Sequence, residues 1–256
     1  MSAILLAAKL FAYMRVHKLE LSYDKSNKLF NEFVSKTNIS TMEYEAFLLA
    51  PNATFQALCY IVKEVLYENL YPDPFKREFV KCPDGGTIGL DWDGEIPDHT
   101  QPLSQPLLVI APGLGGGTHN LYTISMLQKA RSQGFKVVTI VFRGAEGLPI
   151  TVPKLSYSGS SQDMETALDF ICKRYVNDPK TGKRQTRVYA FGCSLGANIL
   201  SLYLGKAGQK ALTYLDGAGL YACPWSTEKG SKYFYENNRI FSWVIGMNLN
   251  RVIKSV

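Results

Sequence analysis

A chain of 256 residues is long enough for one α/β domain with a substantial core and an extension beside it. Hydrophobic residues at 46% and charged residues at 20% are the balance of a globular protein, which excludes a disordered or low-complexity chain. The net charge of +6 is modest and no basic run is interleaved with aromatics, so nucleic acid is not an expected partner.

At the N-terminus, Ala3 to Ala8 and Leu10 to Met14 are apolar, but Lys9 interrupts them and they fall short of the about 20 residues a membrane span needs. Lys9, Arg15 and Lys18 precede the first acid, Glu20, a pattern open to three readings: an organellar presequence, an interfacial anchor, or an amphipathic helix packed on the domain. Residues 22–50 contain helix-like pieces separated by the polar stretch Ser35 to Ser40. After Pro51-Asn52, the positions of Phe55, Leu58, Cys59, Val62, Val65 and Leu66 predict a firmer helix.

From residue 107 the pattern becomes an alternation. Leu107 to Ile110 is a short apolar run, Ala111-Pro112-Gly113-Leu114-Gly115-Gly116-Gly117 is a glycine-rich turn, and Leu121, Ile124 and Leu127 follow at helical spacing. Lys136 to Phe142 predicts a strand. Ser160 and Asp163 form a capping-box pattern opening a helix whose Met164, Ala167, Leu168, Ile171 and Tyr175 share a face. Arg187 to Phe191 predicts a buried strand, Ala197, Leu200 and Leu204 a helix, and Leu212 to Leu215 a further short strand. Strands alternating with helices imply an α/β fold with a doubly wound, mainly parallel sheet.

Between the predicted strand 187–191 and its helix stands Gly192-Cys193-Ser194-Leu195-Gly196. A G-x-S-x-G pattern arises by chance in roughly one chain of this length in ten, so its context decides. A strained strand-to-helix turn can project one serine hydroxyl above a sheet, with glycines two residues to either side because side chains there would collide. Ser194 is therefore the candidate nucleophile. Such chemistry also needs N–H groups aimed at a developing oxyanion, and the candidates are the N–H of Leu195 and the Leu114 region of the glycine-rich loop. The alternatives for that loop are a plain tight turn or a phosphate cradle, but there is no Walker lysine and no G-x-G-x-x-G register.

An ordered set of residues gives these motifs a family context. Lys76 to Val80 with Pro83-Asp84-Gly85-Gly86 and Leu90-Asp91-Trp92 comes first, then Pro112 to Gly116, Phe142-Arg143-Gly144 with Gly147, and Tyr157 to Asp163. Gly192 to Asn198 and Tyr203-Leu204-Gly205 complete it. Over roughly residues 70–256 the chain resembles the YheT-like branch of the α/β-hydrolases, which includes membrane-associated lipases and esterases. The resemblance implies an α/β-hydrolase domain over 71–256, preceded by an N-terminal helical extension over 1–70. It also implies a serine hydrolase acting on carboxylic esters, often of acylglycerols or phospholipids, with no cofactor and no metal.

One requirement of that family is unmet. Its triad runs serine, acid, histidine along the chain, whereas His17, His99 and His119 all precede Ser194. The expectation is a domain cut after its sixth strand and the start of a lid-like segment, before the strands bearing acid and histidine. His119, just beyond the glycine-rich loop, reads as an improvised base or as a helix-capping or surface-turn histidine. Asp216 reads as an acid at a strand end or as a turn aspartate before Gly217 and Gly219. Arg143 reads as a substrate anchor or, by its place beside Gly144 in the family pattern, as structural.

Cys59, Cys82, Cys172, Cys193 and Cys223 are odd in number with no C-x-x-C, which disfavours a disulfide framework or zinc site and points to a reducing, intracellular compartment. Lys173, Arg174, Lys180, Lys183, Arg184 and Arg187 read as a solvated loop or as contacts to anionic lipid heads. Two functions are carried forward: a serine ester hydrolase using Ser194 on a lipid or small ester, with a membrane surface or a protein assembly as further partners, and a hydrolase-derived binding or assembly subunit without catalysis.

Overall fold

The computed structural model describes residues 5, 7, 17–44, 53–67 and 75–254. The readings placed on residues 3–14, on Arg15 and on Pro51-Asn52 fall almost wholly outside these. By packing, the chain divides into two units, Met1–Leu70 and Tyr71–Val256.

In the first unit, strands β1 (His17–Lys18) and β2 (Glu43–Tyr44) pair antiparallel. Helix α1 spans Lys28–Lys36, and its Asn27 cap accepts the Phe30 N–H at 3.0 Å, satisfying one of the donors a helix start leaves open. Helix α2 spans Ala53–Tyr67 and contains the periodic set expected from residue 55 onward.

The second unit is built on a six-stranded sheet of β3 (Phe75–Lys81), β4 (Thr87–Asp93), β5 (Leu107–Ala111), β6 (Lys136–Val141), β7 (Val188–Cys193) and β8 (Gly217–Tyr221). The spatial order is β3-β4-β6-β5-β7-β8. The β3–β4 and β4–β6 pairs are antiparallel and the other three parallel. This is the mainly parallel, doubly wound sheet that the alternation predicts. Its strands read as continuous Val/Ile/Leu runs because both faces are covered. On one face Ile110 and Val137 meet Leu127 and Ala130 of helix α3 (Leu121–Ser132). On the other, Val109, Val138, Ile140 and Ala190 pack under helices α4 (Gln162–Ile171) and α5 (Leu195–Ala207) through Met164, Leu168, Ile199 and Leu200. Each such fully buried aliphatic side chain contributes about 1.5–3 kcal/mol.

Two expectations are corrected. Residues 212–215 are not a strand: Ala211–Tyr214 is a short helix, α6, and the sixth strand of the sheet is β8 at Gly217–Tyr221. The capping box is also displaced. The N-cap of α4 is Ser161, with no side-chain cap bond. The Ser160 hydroxyl accepts the Gln162 N–H at a long 3.4 Å, and Asp163 turns inward to Arg143. The face from Met164 to Tyr175 does exist, α4 continuing as a π-helical turn at Cys172–Val176. Beyond β8 come α7 (Thr227–Asn237) and α8 (Arg239–Lys254), which pack principally against each other.

Candidate active site

The topology itself marks a site. Strand β5 lies between β6 and β7, and the chain leaves β5 for β6 on one side and β7 for β8 on the other, so connections diverge from the carboxyl ends of β5 and β7. Open parallel sheets bind ligands in that crevice. The glycine-rich loop leaves β5 there and Ser194 leaves β7 there.

Ser194 joins β7 to α5 with φ 50° and ψ −116°. Among the described residues only Glu146, Ser194 and Ala222 are non-glycines at positive φ. Such a backbone costs on the order of 1–3 kcal/mol and persists only where its surroundings hold it. Here they do. The Ser194 N–H donates to the Tyr221 carbonyl at 2.9 Å, and its own carbonyl accepts the Asn198 N–H at 3.0 Å. Gly192 and Gly196 make room: a Cβ on Gly192 would stand 2.6 Å from the Ala197 Cα, and one on Gly196 would stand 2.1 Å from the Ala111 carbonyl oxygen. The side chain of Ser194 faces solvent.

The glycine-rich loop runs directly alongside. A Cβ on Gly113 would lie 3.3 Å from the Ser194 Cβ. Three of the loop's N–H groups are spent within it: Gly113 donates to the Tyr122 hydroxyl at 2.8 Å, Gly116 to the Gly113 carbonyl at 3.0 Å, and Gly117 to Asn120 Oδ1 at 2.6 Å. Leu114 is not among the donors used. Leu195 opens α5, so its N–H lacks a partner inside the helix. Tyr122 and Asn120, which shape the loop from the first turn of α3 and its cap, were not singled out by the sequence; their signal is only that they follow the glycines at turn spacing.

The histidines have other surroundings. His17 is in the first unit. His99 lines a separate cleft of about 1120 Å³ with Lys81, Cys82, Asp84 and Lys173, a lining that includes neither Ser194 nor the glycine-rich loop. His119 Nδ1 bonds Glu146 Oε2 at 2.6 Å, with the ring edge-on to Phe75 at 5.8 Å. Asp216 precedes β8, and its carboxylate accepts the Val188 N–H at 2.7 Å and pairs with Arg184. Val188 begins β7 and Ser194 follows its end, so Asp216 stands at the opposite end of the sheet, about 20 Å away for a strand of this length. Misplacing the strand at 212–215 had put it at the wrong end.

Arg143 is structural. Its buried guanidinium forks onto Asp84 through two bonds of 2.9 Å and bonds Asp163 at 2.6 Å, while Ser156 donates to the same Asp163 at 2.6 Å. Gly86 lies against it, a Cβ there standing 2.4 Å from Nη1. The basic cluster is partly paired: Lys173 with Asp169 at 2.8 Å, Arg174 with Glu78 at 3.5 Å, Arg184 with Asp216. No group of three or more metal-ligating side chains occurs among the described residues, and no described helix is long and apolar enough to cross a membrane.

No protein-family model matches the chain. Similar curated proteins include phospholipase ABHD3 of Bos taurus, 30% identical over 162 residues covering 60% of this chain and 38% of that protein. Others are the embryogenesis-associated protein EMB8 of Picea glauca, 29% identical over 69% of this chain and 38% of that protein, and YheT of Escherichia coli (strain K12), 28% identical over 66% of this chain and 50% of that protein. The chain thus spans half or less of these relatives' lengths. The sheet order is that of an α/β-hydrolase fold, and in sequence the chain is similar to members of that superfamily, YheT among them.

Proposed function

We propose that this chain carries the nucleophile half of a serine ester hydrolase active site. Ser194 Oγ attacks the ester carbonyl carbon, and the N–H groups of Leu114 and Leu195 receive the oxyanion. The alcohol then leaves and water hydrolyses the acyl-serine. The observation that carries this reading is the strained backbone of Ser194, at φ 50°, held against the Gly113 backbone. Strain of that kind is stored where a scaffold over-determines a functional atom, and a single oxyanion donor is worth about 10²–10³ in rate. A relative named as a phospholipase favours lipid esters as the substrate class.

The hydroxyl needs a base. All three histidines precede Ser194 in the chain, His119 is held by Glu146 and His99 lines a separate cleft, so base and acid are assigned to chain outside the described residues. This same observation favours a second reading, in which the fold serves as a binding or assembly subunit without catalysis. Fluorophosphonate labelling separates them. The 256-residue chain should be essentially inert, since removing triad members leaves only about 10³–10⁴ of catalysis over water. A form extended to carry an acid and a histidine should label, and lose labelling in Ser194→Ala. An extended form that stays unlabelled would leave the non-catalytic reading.

A further inference from the structure

The glycine-rich loop is anchored at both ends, and its far anchor is built from residues that the attack on an ester leaves unused. The near anchor is the Gly113 N–H on the Tyr122 hydroxyl. At the far end Thr118 is fully buried, and its hydroxyl donates to Asp91 Oδ2 at 2.7 Å. Asp91, in strand β4, is itself buried, at 3% exposure. Leu114 stands between the two anchors, so the direction of its N–H answers to both.

A buried carboxylate needs a counter-charge, and β3 supplies it from the position directly opposite Asp91 in the antiparallel pair. Arg77 Nε donates to Asp91 Oδ1 at 2.6 Å and Nη2 donates to Oδ2 at 2.8 Å, a bidentate fork. The remaining arm, Nη1, donates to the backbone carbonyl of Glu146 at 2.7 Å. Glu146 is held at φ 49° and its side chain lies on the loop, since a Cβ on Gly117 would stand 2.0 Å from Glu146 Cγ. Gly117 and Thr118 are thus gripped from two directions, by Glu146 and by Asp91. One guanidinium ties the two holders together. Backbone strain persists only where the surroundings over-determine it, and the Arg77 bond to the Glu146 carbonyl is part of what holds it here.

We propose that Asp91 and Arg77 are positioning residues, a buried clamp that acts through Thr118 and Glu146 to fix the glycine-rich loop and with it the Leu114 N–H. Its catalytic meaning rests on the ester-hydrolase reading, in which that N–H receives the oxyanion. A donor already fixed in place costs no reorganisation at the moment charge develops. The rigidity of the loop is a property of the 256-residue chain and is measured without turnover.

Thr118→Val supplies the test, because it keeps the shape of the side chain, removes only the hydroxyl and leaves Asp91 paired with Arg77, so the variant should fold. Amide hydrogen exchange of the 256-residue chain is followed residue by residue by NMR. The bonded Gly116 and Gly117 N–H groups should be protected in the wild type. Thr118→Val should speed their exchange about tenfold, the worth of a hydrogen bond to a charged group, and leave Val109 and Ile110 of strand β5 unchanged. Thr118→Ser, which keeps the hydroxyl, should retain the slow exchange. If Thr118→Val does not fold, Arg77→Lys decides: a single ammonium cannot serve both Asp91 and the Glu146 carbonyl, so the same two amides should exchange faster while β5 does not. Unchanged exchange at Gly116 and Gly117 would overturn the proposal. So would equal acceleration in β5, which would make the cluster a general stabiliser, or Thr118→Ser exchanging as fast as Thr118→Val. Labelling is the second arm. In an extended form that labels at Ser194, Thr118→Val should slow the step at saturating fluorophosphonate about tenfold and leave the half-saturating concentration as it was. An unaltered step there would also overturn the positioning role, whereas an extended wild type that fails to label would count against the hydrolase reading and leave the exchange result standing.

Discussion

Gly196 and Ala111 touch: a Cβ on the glycine would stand 2.1 Å from the alanine carbonyl oxygen, with Pro112 O at 2.5 Å behind it. Both obstacles are backbone at the ends of packed elements, so neither can swing aside. Gly196→Val should therefore lower stability by roughly 3 kcal/mol or more, about 10 °C in melting temperature. Ser194→Ala, which adds nothing to the turn, should melt within a degree or two of wild type. Equal melting of wild type and Gly196→Val would mean the turn is not as tight as drawn.

The Arg143 cluster joins three segments distant in sequence, and its removal should be felt globally. Arg143→Met strands the buried Asp163 carboxylate, a loss on the order of 3–5 kcal/mol. It also changes the acid limb of the stability curve. Arg143 and Lys154 hold the Asp84 carboxyl well below the usual carboxylate range. A carboxyl lowered on folding stabilises above its unfolded pKa near 4, and that contribution is lost as pH falls from about 4 toward the folded value. Urea midpoints measured from pH 6 down to pH 2 should fall for the wild type and fall less for Arg143→Met.

Much of this architecture was legible because strands β5, β6 and β7 are uninterrupted apolar runs and the glycines between them have one steric use. Strand β8 was not. Its sequence Gly-Ala-Gly-Leu-Tyr reads as a turn, whereas Leu212 to Leu215 just before it reads as a strand. The glycines answer to a neighbour that sequence order hides: a Cβ on Gly219 would lie 3.0 Å from the Phe191 ring and one on Gly217 3.2 Å from the Tyr189 ring. Aromatic side chains of β7 lie across β8, and tertiary packing overrides strand propensity. The Arg143–Asp84–Asp163 cluster was equally hidden, since nothing local pairs residues 59 and 20 positions apart.

The cysteines should separate by reactivity. Burial pushes the Cys82 and Cys193 thiols up and the Cys172 thiol up to about 12, while Cys59 is exposed. The thiolate is the reacting form, so at pH 8 a disulfide-exchange reagent should take Cys59 rapidly and leave Cys82, Cys172 and Cys193 until the fold is opened. Rapid modification of Cys193 in the native protein would contradict its burial beneath Ser194.

Tyr122 and His119 both follow the glycine-rich loop and should behave differently in any form of the protein that labels at Ser194. The Tyr122 hydroxyl accepts the Gly113 N–H at 2.8 Å, on the segment that passes Ser194. Tyr122→Phe leaves that donor unmatched, costing about 1–3 kcal/mol, and frees the peptide that precedes Leu114. Labelling of Ser194 should slow by more than the loss of folded protein explains. His119 is instead engaged by Glu146 on a half-exposed surface, where ion pairs contribute about 0–1 kcal/mol. His119→Gln should cost little stability and leave the labelling rate and its pH profile unchanged. A His119→Gln variant that no longer labels, with melting intact, would make His119 the base and reverse the assignment of that role to chain outside these residues.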